Sequence, residues 1–267
     1  MLNTRTISIL GCGWYGFALG EHLAGMGYAV KGSTTSSEKF SKFLNAGIQP
    51  YEVRFDADAE FYDPNFFICD LLIISIPTKR GTVESTNYPD KIKRIKAASQ
   101  HSNVKRIVFI SSTAVYGDSN EEVTENTLTK PETDSGKSIL AAENILKDKN
   151  DYQLTILRFA GLIGPQRDPA RFFSGKQNIP NGKAPVNLVR LNDCIEVTKA
   201  IIQKDAFEFT FNVCADYHPQ KMNFYTEAAI QSNLPLPQFI NELKSWKIVK
   251  SVFLEKMLKY KINSLDL

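Results

Sequence analysis

A doubly wound α/β fold with a parallel sheet is what this sequence predicts, and three observations carry the prediction. Its strand-like segments are short continuous apolar runs rather than alternating ones, the pattern of strands covered by helices on both faces. These runs alternate with segments of helical spacing. A glycine-rich turn joins the first run to the first helical pattern. The chain has 267 residues, 43% of them hydrophobic and 23% charged, which suits one large domain or two small ones and excludes a disordered or coiled-coil chain.

Taken in order, residues 7–10 form the first strand. Tyr15, Leu19, Leu23 and Met26 then recur at three- and four-residue steps, giving a helix that stops around Gly25 and Gly27. Further strands are expected at 28–31, 71–76, 106–110 and 154–159. Ile92, Ile95 and Ala98 run a helical stripe through the lysine-rich stretch at 91–96, which therefore reads as a solvated helix face rather than an anion site. After residue 160 the chain becomes loop-rich, with Pro165, Pro169, Pro180 and Pro185 set among Gly161, Gly164, Gly175 and Gly182. Apolar segments resume at 186–191, in a helical pattern at 195–202 and in a strand at 209–213.

Charge and cysteine usage narrow the function. With 32 basic against 29 acidic residues and no long run of one sign, the chain lacks the electrostatic footprint of a nucleic-acid or membrane-surface protein, so a small molecule is the expected partner. Residues 7–20 could pass for the apolar core of a signal peptide. Gly11, Gly13, Gly16 and Gly20 at structured spacing and the lack of an A-x-A site argue against that, and no apolar run approaches a membrane span. Cys12, Cys69, Cys194 and Cys214 are too scattered for metal pairs or a disulfide scaffold, which predicts free thiols in a reducing cytoplasm. His22, His101 and His218 have no ligand spacing, and no metal is expected.

The turn after the first strand reads Gly11-Cys12-Gly13-Trp14-Tyr15-Gly16, a G-x-G-x-x-G run between a strand and a helix. In that context Gly11 permits the tight turn, Gly13 lets backbone approach a pyrophosphate, Gly16 allows close helix packing, and the helix N-terminus attracts phosphate. The prediction becomes a Rossmann-type dinucleotide-binding domain at 1–160. Residues 161–267 form a small interleaved substrate-binding region, whose elements near 186–213 complete the Rossmann part. Where an Asp or Glu would select NAD at the end of the second strand, the chain reads Lys31-Gly32-Ser33-Thr34-Thr35-Ser36-Ser37, with no acid before Glu38. Ser33, Thr34 and Thr35 with Lys31 suit a 2′-phosphate, so NADP(H) is expected over NAD(H).

The strand at 106–110 runs into Ser111-Ser112-Thr113-Ala114-Val115-Tyr116-Gly117. This segment resembles the S-S-x-x-V-Y-G segment of the extended short-chain dehydrogenases/reductases, the NAD-dependent epimerase and dehydratase group acting on nucleotide sugars. Leu157-Arg158-Phe159 through Gly164-Pro165 resembles their LR...GP segment, VRLNDCI at 189–195 their V-x-V-x-D-V segment with Asp193 at the acid, and Phe211-Asn212-Val213 their YNV strand. The resemblance implies that Ile76, Pro77 and Thr78, with the neighbouring Lys79 and Arg80, touch the adenosine or pyrophosphate. It adds Ser111, Ala160 and Gly161 to the cofactor site, places Ser112 on the substrate's reacting oxygen, and implies a homodimer.

In that family a Tyr about 25 residues after the segment does the acid–base work, and a Lys one helical turn further on lowers its phenol pKa. Aligning Gly136-Lys137-Ser138 puts Ser135 at the Tyr position and Ile139 at the Lys position, so both groups are missing. The chain is similar instead to the atypical, YeeZ-like short-chain dehydrogenase relatives, which lack the pair and carry G-x-G-x-x-G. The stretch LRFAGLIGPQRDPARFFSGK at 157–176 carries that likeness most closely. Tyr116 is the remaining candidate acid beside Ser112. Lys137 lies two positions from the expected cation, about 200° around a helix. Arg167, Arg171 and Lys176, beside Phe172 and Phe173, would receive a phosphate or carboxylate of a small anionic substrate.

The implied function is an NAD(P)-binding, oxidoreductase-like protein related to epimerases and dehydratases. Its turnover would be slow, since losing a positioned acid forfeits about 10²- to 10⁴-fold. The alternative is a non-catalytic dinucleotide sensor or regulator. A hydroxyacid-dehydrogenase type, suggested by the glycine motif and Ile74-Ser75-Ile76-Pro77, would require a mostly helical C-terminal domain and fits the later motifs less well.

Overall fold

The computed structural model describes residues 4–56, 58–78, 87–148, 151–262 and 265. Seven strands form one sheet in which every neighbouring pair is parallel: β1 (Thr6–Leu10), β2 (Ala29–Thr34), β3 (Ile48–Glu52), β4 (Leu71–Ile74), β5 (Arg106–Ser112), β6 (Gln153–Phe159) and β7 (Thr210–Val213). Their order is β7-β6-β5-β4-β1-β2-β3. Chain direction across the sheet reverses between β1 and β4, so a crevice opens beyond the carboxyl ends of those two strands.

Continuous apolar runs follow from burial on both faces. Ile7 and Ile9 of β1 with Leu71 and Ile73 of β4 face one core, together with helix α1 (Trp14–Gly25). Leu10, Leu72 and Ile74 face the other core, with Ile92 and Ile95 of a flanking helix at Tyr88–His101. Period-two alternation thus carries apolar residues to two covered faces instead of one.

The remaining helices on the sheet are α2 (Phe40–Asn45), α3 (Tyr88–His101), α4 (Asp134–Lys147) and α5 (Leu191–Lys204), and α6 (Lys221–Gln231) follows β7. Thr133 starts α4 by accepting a hydrogen bond from Gly136 N–H at 3.1 Å. Helix α5 returns to α1, where the buried Tyr15 and Thr198 hydroxyls lie 2.7 Å apart. Segments beyond residue 160 therefore supply both a helix and the edge strand β7 to the main sheet.

Four elements differ from the sequence reading. Strand β4 ends at Ile74 rather than at 76, because Pro77 cannot donate to a ladder and the chain leaves the sheet after Ser75 N–H bonds Leu10 O at 2.8 Å. The apolar segment at 186–191 does not join the main sheet; Leu188–Arg190 pairs in parallel with Gly161–Ile163 in a separate ribbon. Strand β3 and helix α2 were not expected. β3 carries Pro50 and a sparse apolar pattern, tolerable because it is an edge strand.

A second parallel ribbon joins Lys247–Val249 to Glu121–Val123 and ties the end of the chain to the loop after β5. Among the described residues no helix is long and apolar enough to cross a membrane. The four cysteines are free thiols.

In the middle of β2 the lack of a side chain at Gly32 lets α2 and β3 close on the sheet: a Cβ there would lie 2.6 Å from Ile48 Cγ2 and 2.9 Å from both Cys12 Sγ and Phe43 Cε1. Gly32→Ala is expected to overpack this side and cost about 1–3 kcal/mol, read as a lower urea midpoint with an unchanged m-value.

Candidate functional site

The crevice is a cleft of about 870 Å³ between the carboxyl edge of the sheet and the segments after residue 160. Its floor includes the glycine loop. Gly11 adopts φ +102°, and a Cβ there would lie 2.7 Å from the Ser75 carbonyl; a Cβ at Gly16 would lie 2.3 Å from Gly11 O. Both glycines are needed for backbone to meet backbone. Gly13 differs, since a Cβ there would meet nothing within 4 Å. Its open face belongs to the cleft. No side chain caps α1 and no acid sits in its first turn, so the positive end of the helix is unopposed there.

The end of β2 holds the loop in place. The Ser33 hydroxyl accepts the Gly11 N–H at 2.7 Å, and Thr34 Oγ1 is engaged with Ser36 N and O at 3.2 Å, while Thr35 is exposed. Ser33, Thr34 and Thr35 are not among the residues lining the cleft. Nor is the Lys31 ammonium directed to a ligand, for it donates to the carbonyls of Asn65 at 2.6 Å and Ile68 at 2.7 Å. Ile76, Pro77 and Thr78 do line the cleft beside Trp14 and Tyr15, as do Ser111, Ala160 and Gly161. Lys79 and Arg80 lie outside the described residues.

Beneath the cleft floor runs a buried polar network. Ser111 Oγ donates to Glu143 Oε1 at 2.6 Å; Arg158 reaches both Glu143 oxygens, at 2.9 and 2.7 Å, and donates to Tyr116 Oη at 2.7 Å. Tyr116 in turn donates to Asn212 Oδ1 at 2.9 Å. The expectation for Tyr116 is therefore corrected: it is 2% exposed, does not line the cleft, and its phenol serves the network. Ser112 does line the cleft, and its oxygen accepts the Ala114 N–H at 3.1 Å, which leaves its hydroxyl proton for another acceptor. Burial by itself would raise the Glu143 carboxyl, but Arg158, Ser111 and Lys147 outweigh it and hold it below the usual carboxylate range.

On α4, Ile139 faces the cleft, Ser135 sits in the first turn 3.3 Å from Thr133 Oγ1, and the exposed Lys137 pairs with Asp134 at 3.5 Å. Among the described residues three phenols line the cleft. Tyr15 bonds Thr198, Tyr88 donates to Ile76 O at 3.1 Å, and Tyr225 packs among Phe172, Phe173 and Phe224. Burial pushes all three upward, Tyr225 to about 12. None resembles a phenol activated by a neighbouring cation.

The predicted trio of cations is split by the structure. Arg167 lines the cleft, but Arg171, whose side chain is 79% exposed, pairs with Asp168 at 4.0 Å, and the exposed Lys176 donates to Phe172 O at 2.9 Å. The single helical turn Ala170–Phe173 points Phe172 and Phe173 inward, which turns Arg171 outward. In their place stand Lys221 and Lys247. Lys247 Nζ donates to Asp118 Oδ1 at 2.6 Å and to Tyr116 O at 3.1 Å. Lys221 Nζ lies 5.1 Å over the Phe173 ring and donates to Pro180 O at 3.2 Å; burial lowers its pKa, with Asp118 pulling the other way. No local motif marks either lysine. The ribbon joining Lys247–Val249 to Glu121–Val123 brings Lys247 to the cleft, and the Lys221 N–H bond to Ala184 O at 2.8 Å holds Lys221 there.

Among the described residues no three His, Cys, Asp or Glu side chains gather as a metal site. Residues 86–213 match the model of the NAD dependent epimerase/dehydratase family. Protein YeeZ of Escherichia coli (strain K12) is 34% identical over 247 residues, covering 91% of this chain and 89% of that protein. This chain belongs to that family, on its YeeZ-like side. Solved structures agree on the fold. A functionally unknown conserved protein from Silicibacter pomeroyi DSS is 22% identical with a TM-score of 0.75, covering 98% of this chain and 95% of its own. UDP-glucuronic acid 4-epimerase from Bacillus cereus, solved in complex with NAD, is 18% identical with a TM-score of 0.79 over 98% and 94% of the two chains.

Within this family member the Glu143–Arg158 pair supports the cleft floor, and its loss should be measurable. Glu143→Gln leaves Arg158 buried without its counter-charge and is expected to cost about 3–5 kcal/mol in urea unfolding at pH 7. Since the folded carboxyl titrates below its unfolded value of about 4.3, the pair stabilises fully above that pH and loses its contribution as pH falls through the folded value. The variant should lack that part of the acid-side decline.

Proposed function

We propose that this chain binds a nicotinamide dinucleotide across the glycine loop, with NADP(H) preferred, and works on a small anionic substrate held at the Lys221 and Lys247 end of the cleft. The observation that carries the reading is the division of labour among the glycines. Gly11 and Gly16 are closed by backbone, whereas Gly13 keeps an open face at the N-terminus of an uncapped helix. That is a cradle for phosphate oxygens. The cleft is also large enough for a dinucleotide and a small partner.

When bound, the dinucleotide supplies hydride exchange. The chain's own residues orient and neutralise: Ser112 offers a hydroxyl proton, and Ile139 gives an apolar wall. The preference for a 2′-phosphate rests on the missing acid at the end of β2 and on the exposed hydroxyl of Thr35, with Lys31 no longer contributing. A second reading, a dinucleotide sensor without turnover, is favoured by the three cleft phenols that burial holds protonated.

Calorimetric titration with NADPH, NADP⁺, NADH and NAD⁺ is expected to show binding, at least about tenfold tighter for the phosphorylated pair. Equal dissociation constants would remove the preference. Gly13→Asp, which the fold accommodates, should abolish binding while the melting temperature stays the same; unaltered binding would place the dinucleotide elsewhere. For the substrate end, Lys221→Met should lower kcat/KM for anionic carbonyl compounds by about tenfold and leave neutral analogues unaffected. Absence of hydride transfer to any of them, with dinucleotide binding intact, would favour the sensor.

A further inference from the structure

Three described cations line the cleft: Arg167, Lys221 and Lys247. The one described acid in the lining, Asp118, is paired with Lys247. Arg167 stands apart because it touches the glycine loop. Its guanidinium carbon lies 4.4 Å from the ring centroid of Trp14, the first residue of α1 and the neighbour of Gly13.

This contact is built rather than incidental. The indole Nε1–H donates to Pro165 O at 2.6 Å. Gly164, at φ +145°, comes so near the ring that a Cβ would lie 3.3 Å from Trp14 Cζ2. Gly164 and Arg167 then exchange two backbone hydrogen bonds, of 3.2 and 2.8 Å, which close the turn between them. A guanidinium stacked on an indole and carried on a closed turn loses little freedom when it meets an anion.

Charge balance says which anion. A pyrophosphate brings two negative charges to a helix end equivalent to roughly half a positive one. The excess favours a formal cation beside the Gly13 cradle, and the residue next to that cradle is Trp14 with Arg167 on its face. Lys221 belongs elsewhere, over Phe173 and against Pro180. We infer that Arg167 binds the pyrophosphate of the dinucleotide, so that the turn at 164–167 is part of the cofactor site and not of the substrate site. The inference rests on the dinucleotide reading above and adds to it a ligand group delivered from beyond β6.

The test is calorimetric titration of the full chain with ADP-ribose, which carries a pyrophosphate without nicotinamide, and with AMP, which carries a single phosphate. Arg167→Gln should weaken ADP-ribose, NAD⁺ and NADP⁺ by about ten- to a hundredfold and leave AMP within about twofold. Arg167→Lys should recover part of the loss. Unchanged ADP-ribose affinity in Arg167→Gln, or equal losses for AMP and ADP-ribose, overturns the assignment. If Arg167→Gln has no cooperative melt, Arg167→Met, which keeps the alkyl stem over Trp14, is read by the same two ligands with the same expected loss. A wild-type chain that binds neither ADP-ribose nor any dinucleotide overturns the dinucleotide reading along with this inference. Wild-type binding that the variants leave intact overturns this inference alone.

Discussion

Everything at the cleft depends on a contact that admits no side chain. Helix α1 lies against β1 with Gly16 so close to Gly11 O that a Cβ would stand 2.3 Å away, while Gly11 itself presses on the Ser75 backbone at the end of β4. Any larger residue would push the helix off the sheet or force the two central strands apart. Because the contact closes, the N-terminus of α1 points over the carboxyl ends of β1 and β4. That is where the sheet reverses its winding, and Trp14 is thrown outward to meet the turn at 164–167.

A second layer of constraint lies one residue deeper. Glu143, Arg158, Tyr116 and Asn212 come from α4, β6, the loop after β5, and β7, and each satisfies the next by hydrogen bonds in the interior. Buried charges at this depth are tolerable only when paired and fully bonded. The network therefore fixes the relative heights of these elements, and with them the Ser111-Ser112 edge of the cleft. It also explains why a tyrosine in the right motif is no acid: its hydroxyl both donates and accepts within the network.

The chain after β6 has two duties that it performs in alternation. Helix α5 and strand β7 go back to the sheet, whereas the ribbon at 161–163 and 188–190, the turn at Ala170–Phe173, α6 and the ribbon at 247–249 build the far wall of the cleft. This weaving is why cations far apart in sequence share one cavity. Lys247 is anchored by Asp118, across a ribbon whose strands lie more than a hundred residues apart.

What the sequence determined by itself was the architecture and the glycine loop. Apolar runs and glycine spacing are local, and their physics (two-faced burial, backbone contact, a helix end) acts over a few residues. Gly11, Gly13 and Gly16 were legible on that ground, whereas the Ile76-Pro77-Thr78 edge and Ser112 were implied only by the family resemblance. Tertiary structure decided which polar side chains face the cleft. Lys31 suits a phosphate in sequence but lies within reach of two carbonyls of a distant turn. Arg171 and Lys176 sit in a basic, aromatic segment, yet burying Phe172 and Phe173 turns them to solvent. Tyr116 follows the right serines but is claimed by Arg158 and Asn212. Lys221 and Lys247 carry no local signal at all, since they reach the cleft only through the packing of segments that meet after folding.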